Sequence, residues 1–399
     1  MAIVAIFCHM EEGHLLPSLG LANTLREDGH EVVYLIIKDR ESLVRDAGFS
    51  SEIIFPDIYP AGITNQVRQR GKDEPLKSHL IPLLEGALDH IFAKIKPDLL
   101  LIDYAFSFEA LIIHYRHAIK QVLFCTYLRE ESHTPKAFCL SYFRHLERSV
   151  SITVLEFIHE RSQKINFNNL NEIVSPIGQV PELILCPKEF DFPGNEFHNQ
   201  PVHFIEPCVG FITKRFEPGQ TRNSKKNILL SFGSQTFLYR EEFSSLINHL
   251  LAIMQNDPFT DFHLIVALGH FIDQKKFIDI PSNVTMIKWV DQNEVLQECN
   301  LVLTHGGLGT IKQCIYFGVP MIVFPMTRDQ PQNGLRIEQH NLGKKLDFKS
   351  LDMKILAEAM VNILTNPAIK SSVDKMQGIF RDKEKQKLGC RIINEYLKK

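Results

Sequence analysis

Short apolar runs alternate with stretches in which apolar residues recur every three or four positions, and this rhythm occurs twice along the chain. Residues 2–8 read as a buried strand and residues 9–14 as a loop. Leu15, Leu16, Leu19, Ala22 and Leu25 then mark one face of a helix. Gly29 stops that helix, and residues 31–37 read as the next strand. A strand–helix–strand unit this short implies a parallel sheet with helices on its faces. The pattern continues with a strand at 99–102 ending at Asp103, a helix near 108–117 and a strand near 122–125. Between about 127 and 204 the periodicity blurs among aromatics and histidines. The rhythm restarts with strands at 228–232, 263–268, 284–288, 301–304 and 321–324, and helices near 241–254 and 310–317.

Between the halves, residues 207–227 carry Pro218, Gly219, Thr221, Asn223 and Ser224 and little apolar periodicity, as a linker does. The expected organisation is therefore an N-terminal domain over 1–206, a linker over 207–227, a C-terminal domain over 228–380 and a C-terminal helix over 381–399. A length of 399 residues suits two or three domains, each with enough chain to bury a core. In open parallel sheets ligands sit beyond the carboxyl ends of the strands. The cleft between two such halves is thus the expected site.

Composition narrows the function classes. A formal net charge of −3 gives no field that would gather nucleic acid. The tail from residue 381 is locally basic, but Asp382, Glu384 and Glu395 interrupt it. Its apolar residues at helical spacing (Leu388, Ile392, Ile393, Leu397) read as a solvated amphipathic helix. The eight cysteines are scattered without a C-x-x-C pair, which points to a reducing compartment rather than a zinc site or disulfide framework. The run at 2–8 meets Glu11 and Glu12 too soon for a signal peptide, and no apolar stretch is long enough to span a bilayer. A cytoplasmic protein without a transmembrane segment is expected.

The strongest local signal is Thr304-His305-Gly306-Gly307-Leu308-Gly309-Thr310, which follows a buried strand and opens a helix. Glycines there let backbone amides approach an anion, and the helix start adds unpaired N–H groups and a positive dipole end. His305 and Thr310 can donate further hydrogen bonds. Upstream lies Trp289-Val290-Asp291-Gln292, and downstream Gly318-Val319-Pro320 and Pro325-Met326-Thr327-Arg328-Asp329-Gln330. In the first half, Gly13-His14 follows the first strand, and Asp103 closes another. Histidine suits proton abstraction near neutral pH, and a carboxylate behind it fixes its tautomer and steadies the imidazolium.

Residues 289–330 resemble, in order and spacing, the C-terminal donor signature of the family 1 glycosyltransferases, the nucleotide-sugar enzymes that include bacterial antibiotic and macrolide glycosyltransferases. The resemblance runs over the whole chain in size, halves and N-terminal motif. It implies the GT-B fold, two Rossmann-like doubly wound domains, with the C-terminal helix packing back on the N-terminal domain. It implies that Trp289 stacks on a pyrimidine base and that Gln292, beside Val290, holds base or ribose. His305, Gly307, Gly309 and Thr310 would bind the diphosphate, joined by Gly233 and Ser234 of Ser231-Phe232-Gly233-Ser234. Asp329 and Gln330 would hold sugar hydroxyls. His14 would be the base and Asp103 its partner in an inverting transfer of a hexose to a hydroxyl of a small acceptor. The many Phe and Tyr residues between 57 and 203 suggest that the acceptor is apolar or aromatic.

One position departs from the pattern: Gln313 stands where the family has a ribose-binding glutamate. Glutamine has neither the charge nor the two equivalent oxygens of a carboxylate. A UDP-sugar and a dTDP-sugar, the latter without a 2′-hydroxyl, are both open. The plant-type Asn-Ser pair is absent, and Gly309-Thr310 is the bacterial style. No Asp-x-Asp occurs and no ligand spacing suggests a metal, so no metal or cofactor beyond the co-substrate is expected. Other readings stay open: a non-catalytic sugar-nucleotide-binding protein, a subunit that needs a partner, or another GT-B enzyme such as a sugar-nucleotide epimerase. A nicotinamide dehydrogenase is disfavoured, because the first strand leads into Glu11 and Glu12 rather than G-x-G-x-x-G.

Overall fold

The computed structural model describes residues 1–70, 78–162, 169–198, 200–209, 226–269 and 271–398. The chain divides into two compact units. The first comprises Met1–Lys188, Pro193–Thr213 and Gln386–Lys399, and the second Glu189–Phe192 and Lys214–Lys385. Of the expected linker, residues 210–225 lie outside the described residues, and residues 226 and 227 already belong to a strand.

The first unit is built on a seven-stranded sheet. Its strands are β1 (Ile3–Phe7), β2 (Glu31–Ile36), β3 (Ser50–Ile53), β4 (Leu99–Asp103), β5 (Lys120–Cys125), β6 (Glu182–Ile184) and β7 (Val202–Phe204). All pairings are parallel, in the spatial order β3-β2-β1-β4-β5-β6-β7. Successive side chains of a strand point to opposite faces, and here both faces are covered. Ala5, Phe7, Leu100 and Ile102 enter one core, while Val4, Ile6, Leu99 and Leu101 enter the other. This is why the central strands read as unbroken apolar runs. Each large aliphatic side chain so buried contributes about 1.5–3 kcal/mol.

The second unit carries a six-stranded parallel sheet. Its strands are β8 (Lys226–Ser231), β9 (Phe262–Ala267), β10 (Val284–Ile287), β11 (Cys299–Thr304), β12 (Met321–Val323) and β13 (Gly343–Lys345), in the order β10-β9-β8-β11-β12-β13. Each unit thus runs outward from a central strand in one direction and then restarts on that strand's other side. The switch points are β1/β4 and β8/β11, and ligands of such sheets bind beyond the strand ends at a switch point.

Two expectations are corrected. The first helix spans Glu12–Glu27, so His14 lies in its first turn rather than in a preceding loop. The Glu11 carbonyl already accepts from the His14 and Leu15 amides at 3.0 and 3.1 Å, and Glu12 suits the positive helix start. The tail is not a single solvated helix. One helix runs Pro367–Gln386, Lys387 turns left-handed at φ 48°, and a second helix runs Leu388–Lys398.

That second helix belongs to the first unit. Cys390 and Ile393 are buried in the same core as Val4, Leu21 and Leu25, with Leu388, Ile392, Tyr396 and Leu397 packed against it. A side chain at Gly389 would come within 2.8 Å of Ile205, so the helix seats closely there. Its polar side is tied by Asn394 to His30 (2.9 Å) and Asp28 (2.7 Å), and by the Gly389 amide to Glu206 (2.9 Å). Among the described residues, no helix is long and apolar enough to cross a membrane.

Candidate active site

In the first unit, three neighbouring strands deliver three polar side chains to one place. His14 follows β1, Asp103 ends β4, and Thr126 follows β5. His14 Nδ1 lies 2.8 Å from Asp103 Oδ2, and Thr126 Oγ1 lies 3.3 Å from the same nitrogen. Asp103 is fully buried, whereas the His14 side chain retains 19% of its exposure, so the pair has a sheltered end and a reachable end.

Burial alone would push the Asp103 carboxyl up. The charge and hydrogen bond of His14, the Ala105 amide at 3.0 Å on Oδ1 and the charge of His9 outweigh it and hold the carboxyl below its ordinary range. The His9 amide adds a longer contact to Oδ2 at 3.4 Å. An ionised carboxylate on Nδ1 favours the tautomer protonated there, whose lone pair is then on Nε2. The surroundings are aromatic: His9 stands 4.9 Å from His14 and 5.5 Å from Phe106, centroid to centroid, and Phe106 stacks on Phe7 at 4.6 Å. Thr126 was not singled out from sequence, although its place just past a buried strand beside Asp103 was the available signal.

In the second unit the residues expected to meet a donor gather over the β8/β11 switch point. β8 ends at Ser231 and leads to Gly233 (φ 61°) and a short helical turn, Gly233–Leu238. The side chain of Ser234 lies outside the described residues. β11 ends at Thr304, and the helix Leu308–Phe317 starts after three intervening residues, which puts Gly309 and Thr310 in its first turn. Gly306 sits at φ 90°, and a side chain there would meet Val323 at 2.5 Å. At Gly307 a Cβ would come within 2.8 Å of His305 Nε2, so this glycine lets the imidazole lie close to the helix start.

Gln292 joins the parts. Its Nε2 donates to Ser231 Oγ at 2.8 Å, and its Oε1 accepts from Thr310 Oγ1 at 3.3 Å. Asp291 caps the following short helix by accepting from the Asn293 and Glu294 amides, at 3.0 and 3.2 Å. Gln313 Nε2 donates to Asn293 Oδ1 at 3.0 Å, a partner that sequence reasoning missed. Trp289 is half-buried just past β10, and Val290 is buried.

His305 is 7% exposed, and burial pushes its imidazole down to about 4. At neutral pH it therefore offers an N–H but no positive charge. Beyond β12, Arg328 takes a left-handed φ of 59°, a conformation that costs a non-glycine residue about 1–3 kcal/mol and gathers at functional sites. Asp329 follows, its Oδ2 accepting from Asn333 at 2.8 Å. Gln330 Oε1 accepts from the Met326 and Thr327 amides at 2.8 and 3.0 Å, so this oxygen shapes the loop itself. Among the described residues, no group of three or more His, Cys, Asp or Glu side chains is placed to hold a metal ion.

The chain is similar to known proteins in sequence and in fold. Residues 253–381 match the family model of the erythromycin biosynthesis protein CIII-like C-terminal domain. The chain is 22% identical over 392 residues to the NDP-glycosyltransferase YjiC of Bacillus subtilis (strain 168), covering 97% of this chain and 95% of that protein. Among solved structures, the glycotransferase of kitacinnamycin superposes with a TM-score of 0.74 at 19% identity, covering 99% of this chain and 98% of that one. The calicheamicin glycosyltransferase CalG4 superposes with a TM-score of 0.72 at 20% identity, covering 100% and 98%. The two sheets and their flanking helices are those of the GT-B fold.

Proposed function

We propose that this chain, a glycosyltransferase of the GT-B fold, moves a hexose with inversion from a UDP- or dTDP-sugar to a hydroxyl of a small apolar or aromatic acceptor. The observation that carries the mechanism is the 2.8 Å contact between His14 Nδ1 and the fully buried, ionised Asp103. In the proposed step the acceptor oxygen bonds to the anomeric carbon as the bond from that carbon to the diphosphate oxygen breaks. The acceptor proton passes to His14 Nε2, and the nucleoside diphosphate leaves with the bonding pair. Asp103 orients the imidazole and stabilises the imidazolium as it forms.

On the donor side, Trp289 supplies a face for the base and Gln292 a polar edge for base or ribose. The amides from Gly307 to Thr310 and the neutral N–H of His305 meet the diphosphate. No cation is required in this reading, because the helix start supplies the positive pole. Asp329 and Gln330 face the sugar. Gln313, spanned to Asn293, presents an amide where a carboxylate would grip both ribose hydroxyls, which supports a donor with or without the 2′-hydroxyl. No disulfide joins any of the cysteines among the described residues, in keeping with a reducing, cytoplasmic setting.

The test is a titration of UDP, dTDP and GDP, followed by turnover of the corresponding sugars with a panel of aromatic alcohols and NMR assignment of the product anomer. Inversion from a pyrimidine donor is expected. Absence of affinity for either pyrimidine diphosphate, or retention at the anomeric carbon, refutes the reading.

A further inference from the structure

We infer that Asp191, acting through Arg336 and Asn333, is a positioning residue for the donor loops. The inference rests on the donor reading of residues 305–330 above. The two ends of that site are the turn after β11 and the loop after β12, and one amide side chain holds both. Asn333 Nδ2 donates to the Gly306 carbonyl at 3.0 Å and to Asp329 Oδ2 at 2.8 Å. An amide nitrogen has two hydrogens, so these contacts use its full donor capacity. The orientation is not reversible, because a flipped amide would set its oxygen against a carbonyl and a carboxylate. Asn333 is wholly buried, so no water competes for these bonds.

The other end of that amide is fixed in turn. Arg336 Nη1 reaches Asn333 Oδ1 at 3.5 Å, while its Nε and Nη2 donate to Asp191 Oδ1 at 3.1 and 2.9 Å. Both charged partners are buried. Asp191 comes from the four-residue piece Glu189–Phe192 that belongs to the second unit, although the chain on either side of it belongs to the first. Each of the four residues engages that unit. Glu189 pairs with Lys383 at 2.6 Å. The Phe190 carbonyl lies 3.1 Å from His340 Nε2, and its ring faces Phe380. Asp191 holds Arg336, and the Phe192 ring lies 4.2 Å from the Arg336 guanidinium. A segment serving only as a connection has no need to place an ion pair behind a sugar-facing carboxylate.

The experiment compares wild type with Asn333→Ala and with the double variant Asp191→Leu/Arg336→Met. Replacing both members of a buried pair by apolar groups of similar size generally preserves stability. Melting temperature, nucleotide-sugar affinity, and separate KM values for donor and acceptor are measured on each. Asn333→Ala is expected to raise donor KM on the order of tenfold, the loss of a charge-assisted hydrogen bond, with acceptor KM within about twofold. The double variant is expected to melt with wild type and still raise donor KM roughly three- to tenfold. A purely structural role predicts instead that the double variant, once folded, has wild-type donor KM, and that result overturns the inference. Equal rises in donor and acceptor KM overturn it as well. If wild type binds no nucleoside diphosphate, the donor reading falls and takes this inference with it. Wild-type binding with unaffected variants removes this inference alone.

Discussion

The two units place their chemistry at the same topological address and equip it differently. At β1/β4 the chain buries an ionised carboxylate and spends it on one histidine. At β8/β11 it buries a histidine without a charge and surrounds it with glycines and amides. The first arrangement suits a proton that must move. The second suits an anion that must be held without reorganisation. A doubly wound sheet therefore fixes where polar groups converge but not what they do. That is decided by whether a carboxylate is buried within reach of the imidazole.

The largest expected effect probes this contrast directly. His14→Ala should lower kcat/KM for a hydroxyl acceptor by about 10²–10⁴-fold, with calorimetric affinity for the nucleoside diphosphate unchanged. A comparable loss of nucleotide affinity would mean that the two addresses do not divide the labour.

Next in size is Gly306→Ala. The left-handed backbone costs about 1–3 kcal/mol for a non-glycine residue, and the added Cβ meets Val323. Nucleotide-sugar affinity should fall by roughly tenfold or more, with donor KM as the readout. Thr126→Val removes one polar neighbour of His14 and should slow transfer by a few-fold, about 1 kcal/mol, without a change in donor KM.

The smallest effect is a predicted constancy. With its imidazole held near 4, His305 stays neutral from pH 6 to 8, so nucleoside diphosphate affinity should be flat there apart from the phosphate's own titration. A group whose native pKa is depressed contributes stability that is fully present above its unfolded value and is lost as pH falls through the native one. His305 therefore destabilises the fold progressively from about pH 6.5 down to about 4. Asp103, held low, adds to the loss at still lower pH. An acid melting series checks both signs. A rise in affinity on acidification from pH 8 to 6 would show a charged His305.

The same contrast explains what could be read from the chain alone. The segment proposed to bind the donor is contiguous, so its glycines, tryptophan and Asp-Gln pair appear in order along one stretch. His14 and Asp103 are 89 positions apart, yet Asp103 announces itself as the polar residue that closes an apolar run, and His14 as the polar residue that opens the helix after another. Thr126 carries the same signal more faintly, because a threonine after a strand is commonplace. Asp191 carries none: its partner is 145 positions away, and it lies where periodicity is lost. The short strands β3, β6, β7 and β13 were also missed. They are three or four residues long, and β3 and β13 lack the buried apolar alternation that marks a strand.

The seating of Ile393 beside Val4 and Leu25 has a consequence for how the molecule is made. A ribosome releases the first sheet early but withholds the piece that closes one of its faces until the second unit has been made. At about 5–20 residues per second, the intervening stretch from 213 to 386 takes roughly 10–35 s to synthesise. For that interval the nascent first unit carries an uncovered apolar face.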